Sequence, residues 1–138
     1  MASEWLTQIS LGEATVQDLH LELLRRVKRN LLDGERVAND LLAHRDLWHA
    51  VLLDTLGLDG DGVGFAQLIK LRDMKGNFYN VDTLYVLAVS EAAAQKIAEY
   101  EEAWRADATE ILDLEKTEKA LGAHGFDDHL RIVEMWWD

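Results

Sequence analysis

The sequence predicts an α+β fold: an N-terminal antiparallel helical hairpin packed on a mainly antiparallel sheet of about four strands, with one further helix between strands. Three observations carry that expectation. Apolar residues recur every three or four positions up to about 57. The period changes at the glycine-rich run Gly57-Leu58-Asp59-Gly60-Asp61-Gly62-Val63-Gly64. Beyond it, short runs rich in β-branched and aromatic residues alternate with capped helical ones.

Ser10-Leu11-Gly12-Glu13 has the spacing of a capping box and predicts a helix start. Val16, Leu19, Leu23, Val27 and Leu31 then form one stripe of a helix reaching about Leu32, and Asp33-Gly34 closes it. A second helix is predicted over 35–56. Val37, Leu41, Trp48, Val51 and Thr55 form its stripe, widened by Leu42, Leu52 and Leu56. The short link between two amphipathic segments predicts a hairpin, which gives a helical layer over 1–57 and a sheet-containing layer over 65–138 of one domain.

The runs 65–74 and 81–90, separated by Lys75-Gly76-Asn77-Phe78-Tyr79-Asn80, read as a β-hairpin. The second run is apolar on nearly both faces and predicts a central strand. Ser90-Glu91 opens a helix to about Arg105 through Ala94, Ile97, Ala98, Glu101 and Trp104. A third strand is expected over 109–114, a short helix over 115–121 closed by Gly122, and a last strand over 129–137.

Composition narrows the function. The 138 residues carry 14 Lys+Arg against 26 Asp+Glu, a formal charge of -12, which repels nucleic acid and anionic membranes and favours a basic partner or a solvated surface. Cysteine is absent, which removes disulfides, thiolate zinc sites and cysteine nucleophiles. No apolar run approaches the ~20 residues of a membrane span, and Met1-Ala2-Ser3-Glu4-Trp5 lacks the features of a secretory signal, so a cytoplasmic protein is expected. Nothing in the chain calls for a cofactor.

Four groups of residues are candidates for chemistry or binding. His124-Gly125-Phe126-Asp127-Asp128-His129 gathers two imidazoles and two carboxylates, which suit a transition metal and a metal-activated water. The same residues suit a polar turn in which Asp127 and Asp128 accept backbone donors. His20, His44 and His49 are further imidazoles with no spacing that joins them to that group. Asp59 and Asp61 suggest a calcium loop, but Gly57 and Leu68 fall where carboxylates belong. Arg25-Arg26-Val27-Lys28-Arg29 is the basic cluster. Arg25 and Arg29 could bind phosphate or an acidic protein surface, or the cations could complement the helix dipole with Glu22 as partner. Trp136 and Trp137 place a large ring on each face of the last strand. One is expected in the core, and the other is a candidate anchor for a second subunit on a terminal, edge strand.

The resulting expectation is a non-catalytic interaction module, of immunity, chaperone or inhibitor type, that binds a basic protein and self-associates. The alternative is a metal-dependent hydrolase centred on His124, Asp127, Asp128 and His129.

Overall fold

A computed structural model describes residues 8–54, 69–77, 79, 81–122 and 127–138. The first helix, α1 (Val16–Arg26), is entered through Thr15. The Thr15 hydroxyl accepts from Asp18 N, and the Asp18 carboxylate accepts from Thr15 N, so two orphan donors are satisfied reciprocally. The cap thus lies downstream of Ser10-Leu11-Gly12-Glu13, where Ser10 O accepts from Glu13 N and Ala14 N in a turn. α1 buries Leu21, Leu24 and the capping Val27, whereas Val16, Leu19 and Leu23 of the expected stripe face outward.

The chain leaves the helix at Arg26. Lys28–Arg29 (β1) pairs with Leu32–Asp33 (β2) in a short antiparallel ribbon, turned at Asn30 with φ 49°. Asp33 then caps α2 (Gly34–Ala43), accepting from Arg36 N at 3.3 Å. Gly34 is therefore the first residue of α2 and not the stop of α1. A Cβ there would stand 1.9 Å from Leu24 O and 2.7 Å from Val27 O, and Gly34 N donates to Val27 O at 3.0 Å. Only glycine permits that approach of the two helices.

The expected helix over 35–56 is corrected. α2 stops at Ala43, a 3₁₀ turn covers Arg45–Leu47, and Trp48–Asp54 is a strand, β3. The helical layer placed at 1–57 therefore contributes a strand to the sheet. The register shifts between Trp48 and Ala50, so Trp48, Val51 and Leu53 are the buried side chains. Their spacing of three and then two imitates a helical row.

The expected strand over 65–74 is also corrected where it can be seen: Ile69–Met74 is a helix, α3, while 65–68 and the glycine-rich run 57–64 lie outside the described residues. The partner of β4 (Thr83–Ala88) is β3, with Val51 opposite Val86 and Leu53 opposite Leu84. Ser90 caps α4 (Glu91–Ala98), its hydroxyl accepting from Ala93 N, and a 3₁₀ turn extends it over Glu99–Glu101. β5 (Ala108–Ile111), α5 (Leu114–Leu121, ended by Gly122 at φ 78°) and β6 (Arg131–Trp136) complete the described chain.

The four long strands form an antiparallel sheet in the order β3-β4-β6-β5. Both β4 and β5 run antiparallel to β6, so they are parallel to each other, and α4 crosses between them with β6 inserted. One face of the sheet, with Val51, Leu53, Leu84, Val86, Val133 and Met135, joins Leu21, Leu24, Val37, Leu41, Ala94 and Ile97 of α1, α2 and α4 in a single apolar core. β4 is central, as its two-sided apolarity requires. β6 is internal as well, which corrects the expectation that the last strand is an edge.

Candidate functional site

The turn before β6 brings together three of the four residues expected to bind metal. Asp127, Asp128 and His129 each offer a ligand atom within 4.8 Å of the others, and all three are exposed. His124 lies outside the described residues. Asp127 Oδ1 accepts from His129 N at 2.9 Å, and Arg131 Nη1 donates to Asp128 O at 2.7 Å. One carboxylate therefore already closes the turn. His129 Nε2 stands 3.9 Å from Asp128 Oδ1. Among the described residues no ligand from a second element joins this group. His20 lies on α1, His44 ends α2, and His49 is exposed on β3. The calcium-like loop with Asp59 and Asp61 is outside the described residues.

The basic cluster is partly consumed within the fold. Glu22, 6% exposed, takes the Arg25 guanidinium on both oxygens and Arg26 Nε on Oε2 at 2.7 Å. Burial pushes the Glu22 carboxyl up, but the hydrogen bonds and charges of the two arginines outweigh it and hold the group below its ordinary value. Arg25 is raised by the same bond. It is a structural cation and not a free patch. Arg29 lies in β1, and its side chain is outside the described residues.

The two tryptophans divide between the faces. Trp137 is 0% exposed, donates from Nε1 to Trp104 O at 2.9 Å and belongs to the core, so it cannot serve as an exposed anchor. Trp136, part-buried, stands on the opposite face. The free edge of the sheet at β3 is also occupied: Gln17 pairs with both main-chain groups of Val51, and Arg45 Nη1 donates to Trp48 O while its guanidinium lies 3.9 Å above the Trp48 ring.

The second face of the sheet has, among the described residues, only α5 against it. In register it carries Leu52, Tyr85, Glu134 and Glu110 along one rung, and Ala50, Leu87 and Ile132 along the next. Part of it is flanked by α5, whose Thr117 hydroxyl donates to Leu112 O and accepts from Ile132 N. Between α5 and the strands lies a groove of about 330 Å³, walled by Ala50, Leu52, Tyr85, Leu87, Ala120, Leu121 and Ile132. Leu52 and Leu121 are each 43% exposed on its rim. No family model, curated protein or solved structure matches this chain. The groove offers apolar surface with the carboxylates of Glu110 and Glu134 along the neighbouring rung.

The sequence does not point to this face, because the spacing of Trp48, Val51 and Leu53 in β3 imitates a helical row. The usable signal was Leu52, Tyr85, Leu87 and Ile132 at alternating positions of three strands.

A second hollow, of about 520 Å³, lies between the 3₁₀ turn and α4 and is lined by His44, Asp46, Lys96, Glu99 and Tyr100 among others. Its aromatic wall is engaged internally, with Tyr100 stacked on Trp104 at 4.8 Å and tilted against His44 at 5.7 Å. Charges of both signs line it, and they single out no class of ligand.

Proposed function

We propose that this chain is a non-catalytic docking module that binds a basic protein partner on the open face of its sheet. The observation that carries the reading is the apolar groove beside Glu110 and Glu134 on a sheet whose other face is filled by three helices. Burying Leu52, Leu87 and Leu121 under a partner would remove apolar surface from water at about 25 cal/mol per Å². The net charge of -12 speeds the encounter with a cationic surface and opposes pairing of two copies, so a second chain is the less favoured occupant. The cysteine-free composition suits a cytoplasmic setting. Within the described residues no helix is long and apolar enough to cross a membrane.

The alternative, a hydrolase using a metal at Asp127, Asp128 and His129, is favoured by the 4.8 Å clustering alone. Its three ligands stand on an exposed turn with nothing described around them to exclude water.

The test is parallel capture of cellular proteins by the unaltered chain, by Leu52→Asp and by Leu11→Asp, a control at a separate exposed leucine, with each captured protein then purified and titrated. A basic protein that binds the unaltered chain and the control but loses at least tenfold in affinity for Leu52→Asp meets the expectation. Partners indifferent to Leu52→Asp, or metal-dependent ester hydrolysis lost in Asp128→Ala, would contradict it.

A further inference from the structure

The apolar part of the open face ends against two acids. Glu110 and Glu134 are directly opposed across β5 and β6, an arrangement that costs stability unless a cation intervenes. Lys116 of α5 supplies one ammonium, 3.2 Å from Glu110 Oε1. Two carboxylates and one ammonium leave one negative charge. Glu134 is half-buried, and among the described residues its carboxylate has no side-chain hydrogen bond and feels Lys116 only through its charge. Burial, and then the charge of Glu110, hold the Glu134 carboxyl above its ordinary value, with Lys116 pulling it the other way. Around Glu134 stand Tyr85, its register partner on β4, and Trp136, two residues along the same strand and therefore on the same face.

We propose that the occupant of the groove is an extended protein segment bearing an apolar residue and, two positions on, an arginine. The apolar side chain fills the hollow at Leu52, Leu87 and Leu121, and the guanidinium meets Glu134 beside Tyr85 and Trp136. This rests on the docking reading above and names the chemistry of its partner. Charge complementarity selects a cation, because the site lacks one positive charge. Arginine fits better than lysine, since a planar, weakly hydrated guanidinium can bond a carboxylate in bidentate fashion while lying against an aromatic face. The spacing follows from strand geometry: successive residues on one face are about 6.8 Å apart, close to the step from the Leu87 rung to the Glu134 rung. A second copy of this chain would add another -12 to a site that already has excess negative charge.

The experiment is an NMR titration of the whole chain with acetyl-Leu-Thr-Arg-amide and with the same peptide carrying citrulline, a neutral isostere of arginine. The arginine peptide should saturably shift the Trp136 indole and the Leu87 and Glu134 amides, bind at least tenfold more tightly than the citrulline peptide, and lose that advantage in Glu134→Gln. Equal binding of the two peptides at this face would overturn the arginine inference while leaving the docking reading in place. If neither peptide shifts residues of this face, with the shifts falling elsewhere or nowhere, both readings are overturned.

Discussion

Gln17 and Val51 exchange two hydrogen bonds: Val51 N donates to Gln17 Oε1 at 2.9 Å, and Gln17 Nε2 donates to Val51 O at 3.0 Å. A side-chain amide on α1 thus occupies the position that the main chain of another strand would take. It ties the first helix to β3 and blocks the middle of an otherwise free edge, where unpaired groups invite association. Replacing Gln17 with alanine removes both bonds and should cost about 1–2 kcal/mol, read as a lower urea midpoint at unchanged slope. Light scattering at high concentration should also show more self-association of Gln17→Ala than of the unaltered chain.

Glu22 gives the fold a pH dependence of definite sign. Its carboxyl is held below the ordinary 4.5 by Arg25 and Arg26 against the opposing effect of burial, so the folded state binds fewer protons there than the unfolded chain. The stabilisation is complete above that ordinary value and is lost as pH falls through the lower, folded one. Glu134 works in the opposite sense: its raised carboxyl favours the folded state below 4.5, and that contribution is lost as pH rises. Urea unfolding of Glu22→Gln at neutral pH should show a loss of about 2 kcal/mol, with a flatter acid limb below about pH 5. Glu134→Gln should leave neutral stability unchanged or raise it by about 0.5 kcal/mol.

The adjacent tryptophans should behave as different residues. Trp137→Ala empties a fully buried site and removes the bond to Trp104 O, which should cost about 3–5 kcal/mol. Trp136→Ala, on the open face, should cost under about 1.5 kcal/mol. Thermal unfolding of the pair measures this, and comparable losses for the two would mean that the faces of β6 are misassigned.

Much of the second half of the fold was legible because local signals agreed with the tertiary result. Ser90 caps α4 as its position before an alanine-rich run suggests, Gly122 ends α5, and β4 is apolar on both faces because it is central. The first half misled for identifiable reasons. α1 offers two leucine rows, and periodicity alone does not choose Leu21 and Leu24 over Leu19 and Leu23. Gly34 reads as a helix stop, yet it is needed where α2 begins because the carbonyls of Leu24 and Val27 press on it. In β3 the bulge after Trp48 turns alternation into a helical-looking interval. The place of β6 between β4 and β5 is a long-range choice that no local run encodes, so a terminal strand reads as an edge. Of the expected site residues, Asp127, Asp128 and His129 do converge, but on an exposed turn, and Arg25 is bound to Glu22. The face that carries Leu52 and Leu87 is not legible locally, because the bulge in β3 gives its first strand a helical interval.

Helices α1, α2 and α4 fill one side of the sheet, and the proposed docking site requires that Leu52, Leu87 and Leu121 on the other side be accessible. Methyl relaxation in the presence of a soluble gadolinium chelate tests it most directly. The methyls of Leu52, Leu87 and Leu121 should broaden strongly, and those of Leu84, Val86 and Val133 should remain sharp. Equal protection of the two sets would contradict the account, because the proposed docking face would then already be covered.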